Sequence, residues 1–379
     1  MVPGEPGPMR EPADATGHDS RTGATRPTSL VWIGRASWLT TWTWAIVVLI
    51  VLLLIRWVGD RWWGVTVLLF LPRWLFLAPL PVVVLASGVA GRPRHWMVQA
   101  VVALVIAGPL MLLSLPIHQL WAPPVAGTRV RIMTFNQAAG ALDDDRLIRM
   151  IERERIDLIC FQEGNPGRNP VLQAYFSSHG WYRDRKQWFL ASRYPIIAEM
   201  PPPPEEMLPG VRFPANLIRA RIRAAPGVEF GLASVHMPTL RFGLYRFLDH
   251  DVEGLERHVG WWDHELVRLV DGLSDMHDVP FLVGGDFNVP SDQCSMVALG
   301  ESLRFAHEDS GWGYGYTRPS RYPWFRIDHI LSSPEWVFTR CWVGPDLGSD
   351  HLPLIAEAVL PPPASLPEGA ARGTAKVRE

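Results

Sequence analysis

Residues 281–288 read FLVGGDFN. The run 279–283 is short, apolar and rich in β-branched and aromatic side chains, which predicts a buried strand. Two glycines follow it, and then two polar side chains, Asp286 and Asn288, where the strand stops. Alone, such a pair has an ordinary explanation: an Asx turn that lets the chain leave a sheet.

The pattern repeats along the chain. A strand over 129–135 (RVRIMTF) stops at Asn136, and one over 156–161 (IDLICF) stops just before Glu163. A strand over 229–235 stops at His236. Asp328 lies inside RIDHIL (326–331), and Asp350 and His351 precede LPLIAEAV (352–359). Further strands are predicted over 187–191, 195–198, 215–223 and 336–343. Amphipathic helices are predicted over 143–155, with acids in its first turn, and over 250–273. Strands joined both by hairpins and by helices predict a mixed α/β sandwich. Polar groups at strand exits gather at one rim of a sheet, so these residues predict a single site of acids, amides and imidazoles. Such donors suit Mg²⁺ or Mn²⁺ better than zinc. The three cysteines, Cys160, Cys294 and Cys341, have neither metal-ligand spacing nor the number for a disulfide framework.

Read together and in this order, TFN, FQE, SVHMP, GGDFN, RIDHIL and SDHLPL resemble the endonuclease/exonuclease/phosphatase superfamily, the deoxyribonuclease I-like fold. The resemblance runs from Val130 to about Leu360. It implies a four-layered α/β sandwich, a divalent metal, and hydrolysis of phosphodiesters or phosphomonoesters. It also implies roles. Glu163 matches the metal-binding glutamate, with Asn136 beside it, and Asp350 an acid that is often a metal ligand. Asp286 and Asn288 match the pair that orients the attacking water and contacts the phosphate. His351 matches the base or transition-state stabiliser, Asp328 the acid that orients it, and His236 a second histidine at the phosphate or leaving group. Ala138 stands where some abasic-site nucleases carry an acid, which counts against abasic-site repair.

The N-terminal third reads differently. Ten of 18 tryptophans lie before residue 122. Residues 36–55 and 96–117 are uncharged runs of membrane-spanning length. Between them, a kinked span starting near Trp74 is expected, or a re-entrant hairpin. The expected organisation is a disordered tail (1–35), a transmembrane region of about three helices (36–117), a linker (118–127), the catalytic domain (128–360) and a second disordered tail (361–379). A similar Trp-rich block occurs in membrane-attached bacterial members of the superfamily. Arg21, Arg26, Arg35, Arg92 and Arg94 outnumber Arg56 and Arg61, which predicts a multi-pass cell-membrane protein with its catalytic domain outside the cytoplasm.

Substrate choice has fewer clues. The formal net charge is −2, and residues 128–360 carry 24 Lys and Arg against 31 Asp and Glu, which excludes blanket electrostatic capture of nucleic acid. A local strip remains in Arg318, Arg321 and Arg326, interleaved with Trp312, Tyr314, Tyr316, Tyr322 and Trp324. Such a strip would stack on a base or lie against a lipid head group. Arg193 is a further candidate for the phosphate. The leading expectation is a membrane-anchored nuclease. The alternatives are a phospholipid or inositol-phosphate head-group phosphoesterase and a non-catalytic membrane scaffold.

Overall fold

The computed structural model describes residues 27–138, 142–164, 169–184, 189–201 and 215–362. An apolar block leads: α1 (Thr28–Leu53), α2 (Trp63–Phe70), α3 (Leu80–Val89) and α4 (Arg94–Val105). Then come β1 (Thr128–Asn136), α5 (Asp144–Arg153), β2 (Leu158–Gln162), α6 (Pro170–Ser178), β3 (Tyr182–Arg183), β4 (Leu190–Ser192) and β5 (Ile196–Met200). A long hairpin, β6 (Asn216–Ala225) and β7 (Val228–His236), is followed by α7 (Arg241–Leu248) and α8 (Val252–Ser274). The chain closes with β8 (Phe281–Asp286), α9 (Cys294–Leu299), β9 (Arg304–Phe305), α10 (Ala306–Ser310), β10 (Asp328–Ser332), β11 (Val337–Val343) and β12 (Leu354–Leu360).

The strands form two six-stranded mixed sheets, ordered β11-β12-β1-β2-β4-β3 and β5-β6-β7-β8-β10-β9. Alternation along each strand builds the layers. Val130 and Ile132 of β1 meet Phe230 and Leu232 of β7 and Leu282 of β8 between the sheets. Met133 and Phe135 point the other way, onto Leu147 and Ile151 of α5 and Phe176 of α6. Val235 and Val283 point outward from the second sheet onto Trp262 and Leu266 of α8. The order is helices, sheet, sheet, helices, the deoxyribonuclease I-like sandwich. Gly284 sits where the sheets approach closely; a Cβ there would lie 3.1 Å from Cys160 Sγ. The helix expected over 143–155 is α5, and Asp143 caps it by accepting from Arg146 N at 2.9 Å.

The N-terminal block departs from the sequence expectation at the bounds of its first and last helices and keeps the expected break in its middle segment. The first helix starts at Thr28, inside the stretch assigned to the tail, and continues to Arg61, giving 34 residues. The middle segment is two pieces, Trp63–Phe70 and Arg73–Val89, meeting at 86° where Pro72 interrupts the helix. The helix expected over 96–117 ends at Leu110, where Pro109 lies in a π turn and Leu112 takes a left-handed φ of 59°. Among the described residues, one helix is long and apolar enough to cross a membrane, or two if the bent pair is one span. Most of the predicted tails, 1–26 and 363–379, and with them Arg21 and Arg26, lie outside the described residues.

The block is fastened to the sandwich domain. Trp63, Val67 and Phe70 of α2 pack on the outer core of the second sheet. Asp60 accepts from Gln293, and Arg73 pairs with Asp292. Tyr314 and Tyr316 stack on each other against the apolar helices, and the Tyr316 hydroxyl donates to Met111 O at 2.7 Å.

Candidate active site

Strand parity and register assemble the site. On each of five strands the inward-facing positions are known from the inter-sheet core: Val130, Leu158, Phe230, Leu282 and Ile330. Counting by twos reaches Asn136, Gln162, His236, Asp286 and Asp328, so all five point between the sheets at one rim. Register aligns them. Asp286 is opposite His236 on one side and Asp328 on the other, and Asn136 is opposite Gln162. Because Leu354 pairs with Thr134, the loop entering β12 lies beside the exit of β1 and delivers His351 to the same rim.

The polar contacts are dense. Asn136 Nδ2 donates to Asp286 Oδ2 at 2.8 Å and to Glu163 Oε1 at 3.0 Å. Asp286 Oδ1 accepts from Asn288 N at 2.8 Å. His351 Nδ1 lies 2.9 Å from Asp328 Oδ2, and its Nε2 lies 3.7 Å from Asp286 Oδ2. His236 Nε2 lies 3.5 Å from Glu163 Oε1 and 4.0 Å from Asp286 Oδ2. Asp286, Asp328 and His351 are buried. Burial pushes the Asp286 carboxyl above the ordinary range and Asp328 adds to this, against the pull of His351 and His236. Burial would lower His351, but the Asp328 and Asp286 carboxylates overcome it and hold the imidazole at about 9.

Glu163, His236 and Asp286 offer ligand atoms within 4.8 Å of one another, as do Asp286, Asp328 and His351. Two buried carboxylates side by side are costly unless positive charge offsets them. Asp328 Oδ1 is buried and has no hydrogen-bond partner among the described residues. Surplus negative charge on oxygen donors, open to a cleft at Glu163, fits a hard divalent cation. The cleft has a volume of about 690 Å³ and is lined by Glu163, His236, Asn288, Arg241, Phe242, Arg318 and Ser349, among others. Three non-glycine residues on its wall hold left-handed backbone: Ala138 (φ 48°), Glu163 (φ 59°) and Asn288 (φ 57°). Strain of this kind persists where the surroundings over-determine it.

Several of the expected site residues take other places. Asn136 Oδ1 accepts from Ala138 N at 2.8 Å, while its Nδ2 tethers the Asp286 and Glu163 carboxylates. Asp350 lines the cleft, pairs with Arg318 at 2.6 Å and lies 3.8 Å from His351 Nε2. Arg193 lies at the opposite end of the first sheet: its N–H donates to Asp157 O, Ser192 pairs with Leu158 at the entry of β2, and its guanidinium covers Trp181 at 4.6 Å. It does not reach the cleft. Trp324 sits edge-on to Phe325 in a folded-back loop, away from the cleft wall. Arg326 is buried, donates to Tyr314 O and pairs with Glu308, so the expected basic strip loses a member. Asn288 Nδ2 donates to Met237 O at 2.8 Å.

Other supports were not singled out from the sequence. Gln162 links Thr134 Oγ1 and Ser234 Oγ across the two sheets just beneath the site, each at 3.2 Å. Ser349 Oγ donates to Asn136 O at 2.7 Å and accepts from His351 N at 3.0 Å, tying the histidine loop to β1. Both residues lie inside the quoted motifs FQE and SDHLPL, which is the signal that marked them.

A family model described as the Endonuclease/Exonuclease/phosphatase family matches residues 133–351, more than half of the chain. The chain belongs to this family. As a member it is a metal-dependent hydrolase of phosphoester bonds. No curated protein matches the sequence. Similar solved structures include an endonuclease/exonuclease/phosphatase family protein of Bacteroides thetaiotaomicron, at 17% identity over 62% of this chain and 99% of that one, with a TM-score of 0.47. A mannosyl-6-phosphatase of the same organism matches at 17% identity over 61% and 99%, with a TM-score of 0.45. The human Nocturnin catalytic domain with bound sulfate matches at 18% identity over 63% and 98%, with a TM-score of 0.44.

Proposed function

We propose that this protein is a membrane-anchored phosphodiesterase that cleaves the head-group phosphoester of a lipid. The observation that carries the reading is the cleft itself: about 690 Å³, with two arginines on its wall, one of them already paired with Asp350. That room suits a single phosphoester and its substituent. A track for a nucleic-acid backbone calls for several unpaired cations in a row, and the strip open to a base or a lipid head group alike is reduced by the burial of Arg326. The anchor is the apolar helix Thr28–Arg61. Arg92 lies against Gly34 at the end of the helices remote from Asp60. A positive end remote from the catalytic domain supports that domain's lying outside the cytoplasm.

In this reading Glu163 and Asp286 hold the divalent cation, and Asn136 fixes the distance between them. When bound, the cation neutralises charge on the phosphoryl oxygens as a Lewis acid. His351 Nε2 faces the attacking water and the phosphoryl group. The ring, charged at neutral pH, stabilises the developing negative charge, and its neutral form, favoured as pH rises toward about 9, takes the proton of the water. Asp328 at Nδ1 fixes the tautomer and raises the basicity of the ring. His236 and Arg318 border the cleft where phosphoryl oxygens lie, and donate to the charge that develops there.

The test is a hydrolysis panel with the full chain in nanodiscs and Mg²⁺ present. It compares phosphoinositides, sphingomyelin, single-stranded DNA, duplex DNA and RNA. Release of a phosphorylated head group, lost in His351→Ala, is the expected result. Faster cleavage of single-stranded DNA or RNA would restore the nuclease reading, and no cleavage of any phosphoester would support the scaffold.

A further inference from the structure

We infer that α7 is a lipid-contacting helix, which lays the mouth of the cleft on the bilayer that anchors the chain. The inference rests on the membrane-anchored reading. This eight-residue helix, RFGLYRFL, has two unlike faces. Gly243 is buried against His258, where an added Cβ would meet the histidine Cβ at 2.8 Å. Leu244 and Phe247 pack on the outer core of the second sheet. The other face carries Phe242, Tyr245 and Leu248, which are 43%, 53% and 70% exposed. Residues spaced by three lie along one side of a helix, so the three form a single apolar strip.

Two observations name what covers it. The first is continuity with the anchor: the Phe247 ring lies 5.3 Å from the Trp63 ring, at the junction of the apolar block with the catalytic domain. There Trp57 and Trp62 are also exposed, as aromatic side chains are at a membrane–water boundary. The second is charge. Arg241 and Arg246 flank the strip, with Asp249 and Asp251 past its C-terminal end, and the two guanidiniums are placed to meet lipid phosphates. The first turn of α7 also forms part of the cleft wall, through Arg241 and Phe242. A bilayer against this face therefore brings head groups to the site without a soluble intermediate.

The experiment uses the full chain in nanodiscs of phosphatidylcholine and phosphatidylglycerol, with and without brominated acyl chains. An environment-sensitive fluorophore is attached at Leu248→Cys, in a Cys294→Ser background. Reference labels go at Ile50→Cys on α1 and at Val171→Cys on α6, both exposed positions. The expected result is quenching of about twofold by brominated lipid at positions 248 and 50, and none at 171. Quenching at 50 but not at 248 overturns the inference and leaves the anchor in place. Absence of quenching at 50 overturns the anchor, and the inference with it.

Discussion

Arg73 and Asp292 form a two-pronged ion pair across 219 residues of sequence, with Nη1 at 2.7 Å from Oδ2 and Nη2 at 2.9 Å from Oδ1. Arg73 interrupts an apolar run; Asp292 lies four residues beyond Asn288 on the loop that leaves β8. Both side chains are nearly buried, 6% and 12% exposed, and Arg73 also donates to Leu110 O at 2.9 Å. The pair pins the apolar block to the loop that carries the site.

Arg73→Ala is expected to destabilise the protein by roughly 3–5 kcal/mol, because it leaves a buried carboxylate uncompensated. Replacing both partners, Arg73→Met with Asp292→Leu, should recover much of the loss. Thermal unfolding of the full chain in detergent checks this. A double variant as unstable as Arg73→Ala would mean that the pair is not what Arg73 contributes.

His351→Ala should lower turnover by about 10²–10⁴-fold, the usual worth of a positioned general base. Asp328→Asn should cost less, since it disturbs only the orientation of the ring. The double variant should be little worse than His351→Ala, because residues that act as a unit are not additive. Fully additive losses in a double-mutant cycle would show that the two act separately.

Glu163→Gln should weaken Mg²⁺ binding, since a neutral amide is a poorer ligand for a hard cation. Titration of Mg²⁺ by calorimetry reads this without reference to turnover. An unchanged affinity would remove Glu163 from the cation site.

Stability should fall in mild acid for a reason remote from the cleft. Burial, with the Arg326 guanidinium adding to it, pushes His307 down to about 3 and His329 to about 4, from an ordinary 6.5. The folded state keeps both rings neutral where the unfolded chain takes up protons. The stabilisation is therefore fully present above about pH 6.5 and is lost as pH falls toward 4 and then 3. His307→Gln should flatten this dependence in unfolding curves taken between pH 4 and 7; an unchanged slope would assign the loss to other groups.

The sheet was legible from the sequence because apolar alternation is a local signal. The predicted strands over 129–135, 215–223 and 229–235 match β1, β6 and β7 to within two residues at each end. Short elements escaped. The two residues of β3 and of β9 carry no period, and α7 has apolar residues on both faces, with its arginines on the exposed one. Hydropathy alone also misread the N-terminal block, since an apolar segment that packs on a protein surface has the composition of one that packs on lipid. Pro72 and Arg73 mark the break, but only the position of Asp292 explains it.

The sequence by itself determined which residue types stand at the strand exits, and so the chemistry available: Glu163, His236, Asp286, Asp328 and His351. Parity is a local property, and it already aims His236, Asp286 and Asp328 inward. Which of them meet is a matter of register between strands distant in the chain. Only the tertiary structure brings Asp286 opposite both His236 and Asp328, and sets His351 2.9 Å from Asp328. For the same reason it alone removed Arg193, which shares a sheet with the site but sits at its other end, and turned Asp350 to Arg318. Side chains one strand length apart read alike in sequence, and only hydrogen-bonded register tells which end of the sheet they occupy.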